Sequence, residues 1–318
     1  MKKLIWFFLC LVFHSYSQTP GNGVTDIDGN QYNSVIIGTQ EWQKENLNVS
    51  KYSDGTIIPQ VTDPTQWANL TTGAWCYYNN DASNNATYGK LYNWYAAAGI
   101  YDAASLNTPT LRKKLAPTGW HVPTDAEWTT LLTYLGGESV AGGKMKETGT
   151  AHWYSPNQNA TNSSGFTGLP GGWRVNSNWF LEDGMRGFWW SLSEYFSGGV
   201  HLGGSAFSLY YYDGTVDHGG NIEKYGFSVR CLKDTPLSNT TFDPTDIKIY
   251  PNPVNRVLNV NIDNYLINQP YTIIDSLGRV VLNGKLNKVE STINVEQLAK
   301  GIYYLKISTI NAAKFIKD

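Results

Sequence analysis

One short segment sets the limits on how this chain can fold. Residues 234–245, DTPLSNTTFDPT, are rich in Pro, Thr, Ser and Asn, a composition that is typical of a linker. A linker at this place leaves a long N-terminal part and about 70 C-terminal residues, and each part must form its own core. The sequence therefore predicts two domains, covering residues 24–234 and 246–318, joined by a linker at 235–245.

The C-terminal part has the pattern of β structure. Short apolar segments such as IKIYPNP, RVLNVNI and GIYYLKIS follow one another closely, with turn residues between them. Short strands at this spacing predict a small immunoglobulin-like β-sandwich over residues 246–318.

Three blocks within this segment resemble a known export signal. They are YPNP at 250–253, DSLGRVV at 275–281 and LAKGIYYL at 298–305. The order and spacing of these blocks are similar to the type A C-terminal sorting domain of the type IX secretion system of Bacteroidetes-like bacteria. The resemblance implies that the type IX machinery is a partner of this chain and that the protein is secreted or held on the outer cell surface. It also implies that the protein is then released or attached to surface lipopolysaccharide.

The N-terminus has the features of a secretory signal. Lys2 and Lys3 precede an apolar run at 4–13, which is too short to span a bilayer. Small residues at Ser15 and Ser17 predict a signal peptide at 1–17, cleaved between Ser17 and Gln18. The alternative is a buried N-terminal strand.

The side-chain composition excludes some classes of protein. Aromatic residues make up 14% of the chain and charged residues only 16%, against a usual value of about 25%. This balance predicts a rigid aromatic core with few long helices. The net charge is −2 and the basic residues are scattered, so we expect no binding to nucleic acid. No stretch outside the signal is apolar for long enough to predict a transmembrane segment.

The clearest helix begins at Thr124. Thr124 and Glu127 have the spacing of a capping box, and the apolar residues that follow lie on one face of a helix. That face consists of Trp128, Leu131, Leu132 and Leu135. We expect the helix to end at Gly136 and the next residues, 137–141, to form a loop. Further strands are predicted at 173–180, 187–191, 206–212 and 226–232.

Six blocks of the N-terminal part resemble a second family. They are DIDGNQYNSVIIGTQEWQKENLN, YGKLYNWYAA, LAPTGWHVPTDAEWTTLL, SGFTGLPGGWR, FWWSLSEY and GFSVRCLKD. Together they are similar to the Fibrobacter succinogenes major paralogous domain, for which no activity is known. The block WHVPTDAEW is also similar to a segment of formylglycine-generating enzymes and their sulfatase-modifying relatives, whose fold is related to that of C-type lectins. These resemblances imply an α+β, lectin-like mixed domain, in which a capped helix packs on a small irregular sheet and the GFSVRC strand crosses the core.

Two cysteines, Cys76 and Cys231, remain after the predicted cleavage. An even number of cysteines in an exported protein predicts a disulfide, which here would close a loop of about 155 residues. The alternatives are two buried free thiols or a reactive nucleophile. Formylglycine-generating enzymes need cysteine thiols gathered in a C-terminal active site, and this region offers Cys231 alone, so the resemblance does not imply their activity.

Other catalytic and metal-binding patterns are incomplete. His121, His152, His201 and His218 lack the spacing of a metal site. The DxDxN run that starts at Asp26 resembles the beginning of a calcium loop but lacks its terminal glutamate, so we interpret it as a hairpin turn. We therefore predict no catalytic residue, no metal and no cofactor.

Two further patterns leave an enzyme open as the alternative. The GESVA sequence at 137–141 approaches a nucleophile elbow, but it ends in Ala and follows a helix. Glu182, Asp183 and Glu194 could form an acid and base pair if the fold brought them together.

A binding role fits the composition better, because Trp and Tyr beside acidic residues suit sugar rings and peptides. The sequence thus predicts a non-catalytic binding or adhesion module on the cell surface, with a glycan or protein ligand. The alternatives are a surface enzyme acting on polysaccharide or protein side chains, and a structural coat protein. The predicted ligand surface consists of Trp179, Trp189, Trp190, Glu194, Tyr210, Tyr211, Tyr212 and Asp213.

Overall fold

The computed structural model describes residues 18–177, 179–234, 247–262, 267, 269–276, 278–307 and 311–318. The predicted signal peptide at 1–17, with Ser17, and the predicted linker at 235–245 lie outside these residues. The chain divides into two compact units, Met1–Thr235 and Pro236–Asp318.

Short elements build the N-terminal unit. The strands are β1 (Thr19–Pro20), β2 (Val24–Thr25), β3 (Gln31–Tyr32), β4 (Ser34–Ile37), β5 (Gln40–Gln43), β6 (Trp75–Cys76), β7 (Leu91–Tyr92), β8 (Trp120–His121), β9 (Gly171–Arg174), β10 (Phe180–Asp183), β11 (Arg186–Ser197), β12 (Val200–Tyr210), β13 (Val216–Asn221) and β14 (Leu232–Lys233). The helices are α1 (Pro64–Ala68), α2 (Asn85–Tyr88), α3 (Trp94–Ala97), α4 (Ala103–Asn107), α5 (Asp125–Tyr134) and α6 (Glu138–Met145), with 3₁₀ turns at Tyr78–Asn80, Ala82–Asn84 and Pro109–Leu111.

Helix α5 begins where the sequence predicts. The Thr124 side chain accepts a hydrogen bond from the backbone of Glu127, and the Glu127 carboxylate accepts one from the backbone of Thr124, which forms the capping box. Trp128 of this helix is fully buried; its ring lies 4.8 Å from Trp42 of β5 and is stacked 4.8 Å from Phe207 of β12. These contacts join the helix to a first sheet of order β1-β4-β5-β14-β8 and to a second of order β10-β9-β11-β12-β13.

The long hairpin of β11 and β12 dominates the second sheet. Its turn is formed by Gly198 and Gly199, which have φ angles of 57° and 80°, and positive φ at both central residues suits a two-residue hairpin. Strand β13 pairs antiparallel with β12, and β9 pairs with β11 in parallel. The register of these strands places the side chains of the candidate site described below.

Two local predictions are wrong. Residues 138–145, part of which was expected to be a loop, form helix α6. A Cβ on Gly142 would lie 2.1 Å from the Thr215 carbonyl oxygen, so this helix needs glycine to pack closely, and packing overrides the low helix propensity of glycine. The predicted strand at 226–232 crosses the core mainly through isolated bridges such as Tyr92 to Phe227, and only Leu232 belongs to a regular strand.

The C-terminal unit consists of strands. They are β15 (Ile247–Tyr250), β16 (Val257–Ile262), β17 (Pro270–Asp275), β18 (Val280–Lys285), β19 (Glu290–Asn294), β20 (Gly301–Ile307) and β21 (Asn311–Lys317). They form sheets of order β15-β16-β19 and β18-β17-β20-β21. Both sheets contribute to one buried apolar cluster, which includes Leu258 and Ile293 from the first and Leu305 and Phe315 from the second. Across the described residues the protein is mostly β, with 39% strand and 16% helix.

Candidate functional site

The two adjacent tryptophans predicted to bind a ligand lie in the core. Trp189 and Trp190 are 1% and 0% exposed. The Trp189 indole donates to Asn46 Oδ1 at 2.9 Å, and the Trp190 indole donates to the Tyr92 carbonyl at 2.8 Å. Both rings therefore pack the interior, and the prediction that they face a ligand is wrong. Trp179, by contrast, is 70% exposed, and Glu194 is also at the surface.

The predicted tyrosines form a cluster that braces a turn. The rings of Tyr210 and Tyr212 lie 4.0 Å apart, and Tyr211 lies 5.4 Å from each of them. The Asp213 carboxylate accepts hydrogen bonds from the backbone and hydroxyl of Thr215, both at 2.9 Å. Asp213 is thus used within its own turn, and Tyr212 is the most exposed of these residues.

The predicted disulfide is absent, because Cys76 and Cys231 are both free and buried. Cys76 pairs with Leu91 between β6 and β7 and packs in one apolar cluster, while Cys231 packs in another. Burial raises the pKa of the Cys76 thiol to about 11 against the effect of nearby Arg174, and burial also raises the pKa of Cys231. Both thiols are therefore neutral and shielded, which makes them unreactive.

A concave site lies instead on the second sheet, beside the predicted surface. We call it the sheet hollow; it has a volume of about 280 Å³, close to the lower end of the range for ligand pockets. Its lining includes Trp173, Glu182, Arg186, Phe188, Ala206, Ser208, Asp217, Gly219, Asn221 and Phe227.

Strand register creates this hollow. Phe188 of β11 lies opposite Ser208 of β12, which in turn lies opposite Asp217 of β13, so these side chains share one face. One step along, Ala206 lies opposite Gly219. A Cβ on Gly219 would meet no atom within 4 Å. The two small residues therefore leave open space on a face that larger side chains would fill.

Aromatic rings form the floor. Phe188 and Phe227 are stacked with their centroids 4.7 Å apart and an interplanar angle of 14°. Trp173 of β9 packs against them at 5.7 Å and 5.9 Å. Because these rings also belong to the apolar core, the floor is rigid.

Charged groups form the rim. The Arg186 guanidinium lies 2.5 Å from Asp217 Oδ2 and donates to Ser208 Oγ at 2.9 Å. It also lies over the rings of Phe188 and Tyr210, at 4.7 Å and 5.2 Å. Glu182 completes the rim from β10 with a φ of 64°. An aromatic floor with fixed polar groups around it is an arrangement that holds a small polar ring.

The sequence pattern missed most of this site because the ligand surface was predicted from the concentration of aromatic residues in one region. The period-2 alternation of a strand could have separated Phe188 from Trp189, which face opposite sides of β11. The same rule places Arg186 on the face of Phe188. Ser208 and Asp217 lie beside Phe188 only because of the register between β11, β12 and β13, and this register cannot be deduced from the sequence.

A Ser-His-Asp cluster lies near helix α5. His218 Nε2 lies 2.8 Å from Ser205 Oγ and 3.2 Å from Asp125 Oδ2, and Ser205 donates to the same carboxylate oxygen at 3.0 Å. A catalytic relay needs the acid and the serine on opposite ring nitrogens, whereas both contact Nε2 here. Ser205 is also fully buried. The geometry is that of a structural network joining β12 and β13 to the start of the helix.

His121 has a similar structural role. Its ring nitrogens lie 2.8 Å from Glu127 Oε1 and 2.6 Å from Asp234 Oδ1. The hydrogen bond with Glu127, opposed by burial and assisted by Asp234, raises the pKa of His121. Burial opposes ionisation of Glu127, but hydrogen bonds from His121 and Thr124 outweigh it and lower its pKa to about 2. We call these three side chains the His121 clamp.

The DxDxN run forms the predicted hairpin turn, in which β2 pairs with β3. The Asp26 carboxylate accepts hydrogen bonds from the backbone of Asp28, from Asn30 and from the Tyr32 hydroxyl, so its oxygens are already used by donors. Within the described part of the chain, no group of three or more His, Cys, Asp or Glu side chains is arranged to hold a metal. A wider depression of about 800 Å³ beside this hairpin is lined by Tyr32 as its one aromatic residue.

None of the helices that the structure describes is long and apolar enough to cross a membrane. No curated protein matches the chain. Residues 248–318 match the secretion system C-terminal sorting domain, which directs the protein through type IX secretion to the outer cell surface or the medium. Residues 35–233, more than half of the chain, match the Fibrobacter succinogenes major domain. The chain thus belongs to the Fibrobacter succinogenes major domain family and carries a type IX sorting domain at its C-terminus.

Proposed function

We propose that the N-terminal unit is a non-catalytic binding module, which the sorting domain delivers to the cell surface and which holds its ligand in the sheet hollow. The observation that carries this proposal is the hollow itself, with its stacked Phe188 and Phe227 floor and its charged rim. The ligand is a glycan or a protein side chain small enough for about 280 Å³. After export the protein is released or attached to surface lipopolysaccharide.

The fold that we propose for this unit is related to that of C-type lectins and sulfatase-modifying enzymes. The support is the capped helix α5, packed between two small sheets through Trp42, Trp128 and Phe207, together with long ordered loops. For the C-terminal unit we propose an immunoglobulin-like sandwich, supported by two sheets that share one core.

Three observations favour binding over catalysis. The Ser205 hydroxyl is buried and shares one imidazole nitrogen with Asp125. Cys76 and Cys231 are buried, with raised thiol pKa values. In the hollow, the Asp217 carboxylate is paired with Arg186, which favours a fixed hydrogen-bonding role over proton transfer.

The experiment fills the hollow. We expect the mature protein to bind glycans or peptides on an array and Gly219→Leu to lose that binding, because a leucine side chain would occupy open space. Gly219→Ala should give a smaller loss. Gly301→Leu, in the C-terminal unit, is the matched control. A Cβ on Gly301 would also have space, since its nearest atom lies 3.8 Å away. Binding by Gly219→Leu equal to that of the unmodified protein would refute the proposal, and release of cleaved sugar from the array would favour the enzyme alternative.

A further inference from the structure

We infer that the sheet hollow takes one sugar ring that carries no acidic group and that Glu182 determines this preference. The inference rests on the proposed function and specifies its ligand. It is carried by the charges on the rim, by the backbone that presents Glu182, and by the size of the hollow.

The rim carries one carboxylate without a counter-charge. Arg186 and Asp217 form an ion pair at 2.5 Å, so their charges offset each other. Glu182 makes no side-chain hydrogen bond or ion pair with the residues that the structure describes. Its oxygens are therefore available to accept hydrogen bonds from a ligand, which an ionised carboxylate does more strongly than a neutral acceptor.

The backbone at Glu182 is held in a conformation that disfavours glutamate. Its φ of 64° lies in the left-handed region, which is strained for a residue with a side chain and is often found at binding sites. The pairing of β10 with β9 keeps one register from Phe180 to Asp183, so Glu182 lies at the step of Gly172, whose φ of 59° is also positive. The fold thus keeps a strained glutamate where glycine would fit more easily.

The charges on the rim select against acidic sugars. A carboxylate on the ligand would be repelled by Glu182, because the nearby Arg186 guanidinium is already paired with Asp217 and does not offset that charge. A ring without an acidic group avoids this penalty. Its hydroxyls can donate to Glu182 and Asp217 and accept from Arg186, while its apolar face lies on the aromatic floor.

The size of the hollow favours one ring. Its volume of about 280 Å³ is small compared with pockets that enclose larger ligands, which extend to about 1,000 Å³. Extended polymer chains would have to lie outside it, with one sugar residue inserted. We therefore expect recognition of a single residue of a glycan.

The test uses the mature protein on an array that carries matched neutral hexoses, free-amine hexosamines and hexuronic acids. We expect the unmodified protein to bind the hexuronic acids much more weakly than the neutral sugars. Glu182→Gln should bind them about tenfold or more weakly, as expected for loss of a charge-assisted hydrogen bond, and should bind the uronic acids better than the unmodified protein does. Glu138→Gln, at an exposed carboxylate in the first turn of α6, is the matched control and should change neither.

Glu182→Gly separates binding from folding. Glycine adopts positive φ freely, so this variant should have a melting temperature equal to or above that of the unmodified protein. Its binding to neutral sugars should nevertheless be at least tenfold weaker, because the carboxylate is lost.

The outcomes distinguish the two proposals. If Gly219→Leu removes binding but Glu182→Gln has no effect, or if the hexuronic acids bind as well as the neutral sugars, the hollow is the site and the inference about its ligand is wrong. If Gly219→Leu has no effect, the proposed function itself fails.

Discussion

Lys146 offers the sharpest test of how the N-terminal unit is held together. Its side chain is 1% exposed. The ammonium donates to three backbone carbonyls, those of Gln158 at 2.8 Å, Tyr210 at 2.9 Å and Asp213 at 2.6 Å. These acceptors belong to two segments far apart in the sequence, so a single side chain fixes the tyrosine turn to a separate loop. Lys146→Met keeps most of the volume of the stem and removes all three donors.

The expected loss follows from two opposing effects. A hydrogen bond from a charged donor contributes about 1.5–3 kcal/mol, so three contribute about 6 kcal/mol. Burial, only partly offset by Asp213, lowers the pKa of Lys146 from 10.5 to about 8, which corresponds to a cost of about 3 kcal/mol for keeping the ammonium charged. The net effect predicts that Lys146→Met lowers the free energy of unfolding by about 3 kcal/mol. The melting temperature should fall by roughly 6–12 °C.

Tryptophan fluorescence in the full mature chain measures this loss directly. The twelve tryptophans of the sequence all lie at or before residue 190, so the signal reports the N-terminal unit. The control is Lys144→Met, in the last turn of helix α6, which ends just before Lys146. The Lys144 ammonium donates to the Leu135 carbonyl at 2.7 Å and its side chain is partly exposed, so the loss should be under about 1 kcal/mol. If the two variants melt at the same temperature, the three carbonyls do not depend on Lys146 and the reasoning is wrong.

Three further predictions concern other parts of the same unit. The pKa of His121 is raised from 6.5 and that of Glu127 is lowered from 4.5 to about 2, so the His121 clamp should stabilise the fold most between pH 4.5 and 6.5 and weaken as pH rises through the His121 pKa or falls towards 2. Urea titrations at several pH values should show that His121→Gln removes the loss of stability at rising pH. This loss is worth at most about 1 kcal/mol, because the groups are partly exposed. Gly142→Ala should lower the free energy of unfolding by about 1–3 kcal/mol in the same urea titrations, because the new Cβ would lie 2.1 Å from a carbonyl oxygen. This loss is expected although alanine favours helices. Ser139→Ala, at an exposed position of the same helix, should cause no loss. Cys76 and Cys231 should resist alkylation in the folded protein, and both should react in urea without reductant. If either fails to react in urea, the protein contains the disulfide after all.

The sequence predicted what depends on neighbours along the chain. Helix α5 could be placed because Thr124 and Glu127 cap their own helix and Trp128 begins a regular apolar stripe. The hairpin turn after Asp26 could be placed because aspartate, asparagine and glycine satisfy a tight turn locally. Helix α6 was missed because the glycines at 136 and 137 favour a chain break, from which a loop at 137–141 was expected. Within the helix, Gly142 is glycine because of a contact with Thr215 far along the chain.

The candidate site shows the same division. Sequence could identify a region rich in aromatic and acidic residues, and strand alternation separates Phe188 from Trp189. It could not tell which face of β11 stays open, or that Ser208 and Asp217 lie beside Phe188 there. It also predicted a disulfide from an even count of cysteines, because counting cannot show that two thiols lie in separate clusters.

By itself, the sequence determined the export route and the family, because both are recognised from contiguous blocks of residues that other members of these families share. It also determined that aromatic packing would build the core. Tertiary structure alone decided where a ligand could bind, because the hollow exists only where the register of β12 and β13 sets Ala206 against Gly219. Pairing between strands is a long-range property, and a shift of one residue would close the space.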